Sequence, residues 1–360
     1  VQMTPPRTSA GPDRVPVRYA RWDGVDRPFT PVATTTPGTP GSGEVLVRVD
    51  LATVCGSDLH TVTGRRASPI PSVLGHEQVG TVLAVGGGGV RCVDGTPVVP
   101  GMRVVWSVTA SCGDCDRCAR GFTQKCRRLR KYGHEPLDEA APLTGGFATH
   151  CVLLPGTAVV AVPGDLPDAV AAPASCATAT VAAVLAAAGP LAGLRVLVTG
   201  AGMLGVTAVA MAAHADAHVI AVDPDPDRRD QALRFGAAQV AAVAPDEVDV
   251  ALELSGKPSA VQACLRSLAV GGTAVLAGSV SPGDPVALDP ERVVRGLHSV
   301  VGVHNYRPVD LQTAVGFLAA RHRTRPFAEL VSGGFGLDEV DAAFAAARTA
   351  RVMRTAVTPR

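Results

Sequence analysis

The stretch LRVLVTGAGMLG, residues 194–205, constrains the chain more than any other. Its apolar run predicts a strand buried on both faces. The run ends on Gly200, Gly202 and Gly205, spaced G-x-G-x-x-G, and the Ala-rich stretch behind them predicts a helix. A second predicted strand, HVIAVD, ends on Asp223, about twenty residues further on. Each glycine has a physical role in such a unit. Gly200 allows the tight turn, Gly202 lets the backbone approach a pyrophosphate, and Gly205 lets the helix pack closely on the strand. Free N–H groups and the positive dipole end at the helix N-terminus favour phosphate. Strand, turn, helix and acid together predict a Rossmann-type, doubly wound parallel sheet that binds a dinucleotide. Asp223 is expected to accept hydrogen bonds from ribose hydroxyls and to repel a 2′-phosphate, which favours NAD over NADP. Arg228 and Arg229 lie nearby and blunt that preference. Met203, Leu204, Arg228 and Thr180 complete the expected cofactor-binding set. The plain alternative is a tight glycine turn that binds nothing.

That unit accounts for only part of the chain, whose 360 residues are too many for one ordinary core. Later apolar runs, VDVALELSG, GTAVLAG and LHSVVGV, extend the strand–helix alternation, with KPSAVQACLRSLAVGG read as a helix between two of them. PDRRDQALRFGA reads as a helix that closes on Gly236. Before about residue 170 the rhythm differs. EVLVRVDLATV, GTVLAVG, MRVVWSV and CVLLP are short β-type runs between Gly/Pro turns, which predicts a β-rich domain. APASCATATVAAVLAAAG reads as a helix leading out of it, and the segment after DLQTAVGFLAARH as one or two helices and a final strand. The opening VQMTPPRTSAGPDRVP is polar and Pro-rich, and predicts a loose tail over residues 1–17 and no export signal.

Several partners are disfavoured. A net charge of +1 offers no electrostatic case for nucleic acid. The longest apolar run, DAVAAPASCATATVAAVLAAAGPLAGL, is interrupted by Pro173, Gly189 and Pro190, which argues for a buried helix and against a membrane span. Nine cysteines are too few for a disulfide scaffold in a chain this long, so a reducing, cytoplasmic setting is expected.

Those cysteines fall into two informative groups. In SCGDCDRCARGFTQKC, Cys112, Cys115, Cys118 and Cys126 are spaced C-x2-C-x2-C-x7-C. Four thiolates at this spacing can close a tetrahedron round zinc and leave no open position, so the site is structural by its ligand count. A redox C-x-x-C pair or unrelated thiols are the alternatives, but a redox pair leaves the third and fourth cysteines unexplained. The other group is dispersed over ATVCGSDLH, VLGHEQVG and PASCATAT. Two Cys and one His would give three ligands and an open fourth position, the pattern of a catalytic zinc. Spacing alone carries that reading weakly, because a lone Cys or His in an apolar stretch is usually core. Cys92, Cys151 and Cys264 read as buried core thiols.

Taken in order, CGSDLH, GHE, CGDCDRC…C, SCATAT, GAGMLG and Asp223 resemble the zinc-dependent medium-chain alcohol dehydrogenase family over nearly the whole chain. The resemblance implies a β-rich, GroES-like catalytic domain of residues 18–177 and 306–360, carrying a zinc lobe at about 108–132. A Rossmann domain would span 178–305. It implies two zinc ions per chain, with Cys55, His76 and Cys176 as ligands of the catalytic one. It further implies that Asp58 orients His76, that Glu77 sits beside the metal as a transient ligand, and that Ser57 and His60 relay the alcohol proton to solvent by way of the cofactor ribose. Arg354, in RVMRT, matches an arginine that reaches the cofactor phosphates. A homodimer or homotetramer is implied as well. Zinc-free quinone reductases of the same superfamily are excluded, since they lack both the Cys-rich lobe and the metal triad.

The expected reaction is hydride transfer between an alcohol, or its aldehyde or ketone, and NAD(H). RRLRKYGHE places Arg127, Arg128, Arg130, Lys131 and His134 just after the last lobe cysteine, and Arg65 and Arg66 follow the first zinc motif. Such groups near a cleft would suit an anionic substrate, with Arg130, Lys131 and His134 as candidates; the alternative is a solvated basic edge. VCGSDLHTVTGRR, LRKYGHEPLD and SCATATVAA look like a subgroup associated with phosphonate catabolism, which implies a hydroxyalkylphosphonate. A polyol or cyclitol of a biosynthetic pathway is the rival substrate. A homologue that binds NAD without turnover is the rival class.

Overall fold

The computed structural model describes residues 14–349 and 352–360. Six strands form a wholly parallel sheet in the order Gln239–Ala241, His218–Val222, Arg195–Thr199, Val248–Glu253, Leu268–Leu276, Ser299–Gly302. Numbered along the chain this order is 3-2-1-4-5-6, which reverses between Arg195–Thr199 and Val248–Glu253 and opens a crevice at their carboxyl ends. The sheet is buried on both faces, as its unbroken apolar runs predict. Val196 and Val198 enter one core cluster while Leu197 between them enters another, because successive side chains point to opposite faces. Helices Met203–His214, Pro226–Phe235 and Pro258–Ser267 pack against these strands. Gly236 caps the second of them in the left-handed region, at φ 107°.

The other half is β-rich. Its eight-stranded sheet runs Val331–Phe335, Arg354–Val357, Val45–Val54, Gln78–Val85, Arg103–Ala110, Arg130–Lys131, with His150–Leu153 paired to Val45–Val54 and Thr157–Ala161 to Arg103–Ala110. Arg354–Val357 lies antiparallel to Val45–Val54, with Thr355 opposite Val54. The segment after the parallel sheet therefore returns to the β-rich half. Trp22, Trp106, Phe147 and Phe344 share one core there.

Three sequence expectations change. The run APASCATATVAAVLAAAG is not one helix: a 3-10 turn over Ala172–Ser175 and a helix over Ala177–Ala188 meet at Cys176, whose φ −124° and ψ −68° are not helical. Pro173 stands in the first turn of that run, where an N–H has no intrahelical partner, so the break at Cys176 lies beyond its reach. The helix read from KPSAVQACLRSLAVGG stops at Ser267, and Leu268 opens a strand. Val270 and two glycines, with Gly271 at φ 79°, disfavour the last turn. Arg14–Trp22 is a strand, paired to Thr30–Pro37, so residues 14–17 of the expected tail are ordered by that pairing. Residues 1–13 lie outside the described residues. Among the described residues no single helix is long and apolar enough to cross a membrane. The apolar pair Asp168–Ser175 and Ala177–Ala188 is bent by 54°, and Val181, Ala182 and Val184 are buried.

Candidate active site

Cys55, His76 and Cys176 converge with their ligand atoms within 4.8 Å of one another. Each is delivered by an element end. Cys55 follows Val45–Val54 and caps the helix Gly56–Val62; His76 and Glu77 precede Gln78–Val85; Cys176 sits at the break between turn and helix. Asp58, fully buried, accepts from the Cys55 N–H at 2.9 Å, and its other oxygen lies 3.3 Å from His76 Nδ1. His76 Nε2 is thereby turned toward the thiols, 3.1 Å from Ser57 Oγ. The Cys55 thiol is held well below its usual pKa, first by a hydrogen bond with Cys176 and then by the charge of Arg354. Two thiols and one imidazole are the donor set of a zinc site with one position left for substrate.

Glu77 is held away from a ligand role. Its Oε2 accepts from Thr53 Oγ1 and from Arg354 Nε, each at 2.6 Å, and its Oε1 accepts from Arg354 Nη2 at 2.8 Å. The antiparallel pairing of Arg354–Val357 with Val45–Val54 brings Arg354 there, and its Nη2 also lies 3.5 Å from Cys55 Sγ. Arg354 is thus a buried partner of the metal-ligand cluster. It still lines the cavity that Gly202, Met203 and Leu204 also line. His60 is half-buried outside that lining, with Nδ1 3.2 Å from Ser281 Oγ. Burial, and then the charge of Arg65, lower its pKa.

The lobe gathers Cys112, Cys115, Cys118 and Cys126 with four Sγ–Sγ separations of 3.3, 3.5, 3.9 and 4.0 Å. Tetrahedral zinc with Zn–S bonds of about 2.3 Å needs thiolates about 3.8 Å apart, so the four fit a closed zinc site. Backbone N–H groups of Cys112 and Arg128 donate to Cys126 Sγ, each at 3.3 Å.

The basic run behind the lobe divides. Arg127 pairs with Asp116, Arg128 with Asp114, and Arg130 with Glu135. Arg130 is no part of the cavity wall, which corrects its expected place among the substrate contacts. Lys131 and His134 line the cavity, and Arg66 joins them.

At the glycine turn, Gly200 has φ 86°, and a Cβ on Gly205 would lie 1.8 Å from the Gly200 carbonyl oxygen. Gly202 faces open space. Asp223 Oδ2 accepts from Ala201 N at 2.8 Å and Oδ1 from Asp225 N at 3.0 Å, which fixes the carboxylate beside the turn. Arg228 Nη1 stands 3.9 Å from it. A cavity of about 560 Å³ is lined by Gly200, Gly202, Asp223, Arg228 and Lys257, and Gly202 and Leu254 join it to the cavity of about 240 Å³ at the cysteines. Thr180 lines the smaller one.

The sequence reading missed His304, Asn305 and Tyr306, which follow the last parallel strand and line the smaller cavity. The buried Tyr306 hydroxyl accepts from Val108 N at 3.0 Å and donates to the Ser175 carbonyl. The signal was a polar triplet at the carboxyl end of a strand in a doubly wound sheet, where ligands bind.

Two family models match. Residues 41–164 match the alcohol dehydrogenase GroES-like domain, and residues 204–320 match the zinc-binding dehydrogenase model. The chain is similar to L-threonine 3-dehydrogenase of Anaeromyxobacter dehalogenans, with 32% identity over 334 residues, 86% of this chain and 90% of that protein. An alcohol dehydrogenase structure from Thermotoga maritima superposes with a TM-score of 0.88 at 25% identity, covering 96% of this chain and 100% of the other. A zinc-binding dehydrogenase from Sinorhizobium meliloti, bound to NADP, gives a TM-score of 0.84 at 26% identity with the same coverage.

Proposed function

The chain belongs to the zinc-dependent medium-chain alcohol dehydrogenase family, and on that premise we propose that it transfers a hydride reversibly between NAD(H) and a primary or secondary alcohol or its carbonyl counterpart. The observation that carries the reading is the convergence of Cys55, His76 and Cys176 on a cavity also lined by the glycine turn. Zinc held by these three residues would supply the Lewis acidity that lowers an alcohol's pKa, and the nicotinamide would take the hydride. The chain's own residues do the rest. Asp58 fixes the His76 ring, and Arg354 holds Glu77 back from the thiols. Ser57, facing the cavity, accepts the alcohol proton at Oγ as it passes its own hydroxyl proton on, and His60, whose pKa burial lowers, takes that proton and releases it to solvent. Val108, Leu254, Val280 and Val303 make the wall apolar and limit water. Cys112, Cys115, Cys118 and Cys126 would hold a second zinc, which would brace the lobe with no position open to substrate.

Asp223 supports NAD over NADP, and Arg228 tempers the preference. The domain boundaries implied by the sequence, 18–177 with 306–360 and 178–305, remain part of this reading. A hydroxyalkylphosphonate is one candidate substrate. L-threonine, for which the curated relatives are named, is another, but it carries an ammonium, and no acidic side chain among the described residues lines the cavity to pair with it. We also assign a cytoplasmic location, supported by cysteines gathered as metal-ligand sets, and a homodimer or homotetramer, supported by the exposed Val294, Leu297 and Val300 beside the edge strand Ser299–Gly302.

A panel of alcohols, polyols, cyclitols and hydroxyphosphonates with NAD and NADP, followed at the NADH absorbance, tests the activity. Bound NAD without turnover of any member would favour the non-catalytic alternative. Cys176→Ser is expected to lose one zinc equivalent and nearly all turnover; activity retained with one zinc fewer would contradict the ligand assignment.

A further inference from the structure

We propose that the alcohol this enzyme acts on carries an anionic group, and that Arg66 and Lys131 form the subsite that receives it. The proposal rests on the dehydrogenase reading above and names the substrate class of that site. Its starting point is a contrast within one basic region. Arg127, Arg128 and Arg130 are each matched by an acid, Asp116, Asp114 and Glu135. Arg66 and Lys131 line the small cavity, and no ion pair among the described residues includes either of them. Two unmatched cations on one partly apolar wall are costly without a counter-charge.

The neighbouring groups extend the same polarity. Lys125 Nζ lies 2.6 Å from His304 Nδ1. An ammonium only donates, so His304 Nδ1 accepts and its ring proton is on Nε2, a donor. His134 Nε2 is buried and has no partner among the described residues. These groups feel one another: His304 is held down to about 4 by burial and by Lys125, Lys131 and Arg66. The two cations and the His304 donor meet there, and among the described residues no carboxylate lines the wall. An oxyanion matches all three, since guanidinium presents a fork of N–H donors and ammonium a point charge, and His134 joins them in its Nε2–H tautomer. Carboxylate, phosphonate and phosphate share this chemistry. A cavity of about 240 Å³ limits the substrate to a few carbon atoms between the hydroxyl and the anion.

The test compares wild type with Lys131→Met, Lys131→Arg and Arg66→Gln. Steady-state kcat/KM is measured with NAD for 2-butanol, 3-hydroxybutyrate and 2-hydroxypropylphosphonate. Wild type is expected to favour an anionic alcohol over 2-butanol by at least about tenfold. That ratio should fall about tenfold in Lys131→Met and in Arg66→Gln, the loss of one charge-assisted hydrogen bond, and persist in Lys131→Arg. The two anionic arms decide between carboxylate and phosphonate. Calorimetry adds a readout without turnover: methylphosphonate and propionate are titrated into the NAD-saturated enzyme, and the binding of at least one should weaken in Lys131→Met. A wild-type ratio near one, a ratio unmoved by both charge-removing variants, or anion binding abolished by NAD would overturn the proposal; the last would give these cations to the cofactor. If no alcohol turns over while anion binding persists with NAD and is lost in Lys131→Met, the subsite stands and the dehydrogenase reading fails.

Discussion

Tyr306 ties three parts of the molecule through one oxygen. It accepts from Val108 N–H in the β-rich half, donates to the Ser175 carbonyl beside Cys176, and follows the last strand of the parallel sheet. Tyr306→Phe would leave both backbone groups buried without partners, at a cost of about 1–3 kcal/mol for each. Urea denaturation should register that loss, and zinc should pass to a chelator faster, because the residue before a ligand is no longer held. Lys131 sets a pH dependence. Burial first, then the charge of Arg66, brings its ammonium down to about 8; Lys125 adds to the effect, while the Cys176 and Cys55 thiols oppose it. His134 and His304 share the wall, both lowered in pKa by burial and neutral in this range. The Lys131 charge is therefore complete well below pH 8 and is lost as pH rises through it. KM for an anionic alcohol should climb across that window in wild type and stay flat in Lys131→Met.

Elements explain why some of this could be read in advance and some could not. The lobe and the glycine turn were legible because their chemistry is local: four cysteines within one loop, three glycines between one strand and one helix. Arg130 and Lys131 were not separable. They are the two residues of one short strand, and successive side chains leave a strand on opposite faces. One meets Glu135 and the other the cavity, and only the pairing of that strand with Arg103–Ala110 decides which. The break at Cys176 was hidden as well, since Pro173 is tolerated in a first turn and the Ala-rich stretch after it has helical propensity, which the place of Cys176 beside Cys55 and His76 overrode. Two outcomes belong at this scale. Cys115→Ser should cost one zinc equivalent and lower the melting temperature by several degrees. Asp223→Asn keeps an oxygen for one of the two amides now bonded to it and removes the charge. It should raise the kcat/KM ratio of NADP to NAD, with Arg228 3.9 Å away to meet a 2′-phosphate.

Across the whole molecule, the cavity is closed by both halves. Cys55, His76 and Lys131 come from the β-rich part, and Gly202, Ala277 and His304 from the parallel sheet and the segment after it. The β-rich part is itself discontinuous, because Arg354–Val357 must pair with Val45–Val54 before Arg354 can reach Glu77. Arg354 and Cys55 are 299 positions apart. Contacts between such distant positions carry a large loop-closure cost and form slowly, whereas the strand–helix units between them join near neighbours. Refolding should therefore proceed in stages: the parallel sheet acquires amide-exchange protection first, and strands 45–54 and 354–357 gain it together and later. Competence to capture the catalytic metal should follow the second stage, so an arrested folding intermediate would be a nucleotide binder before it is an enzyme.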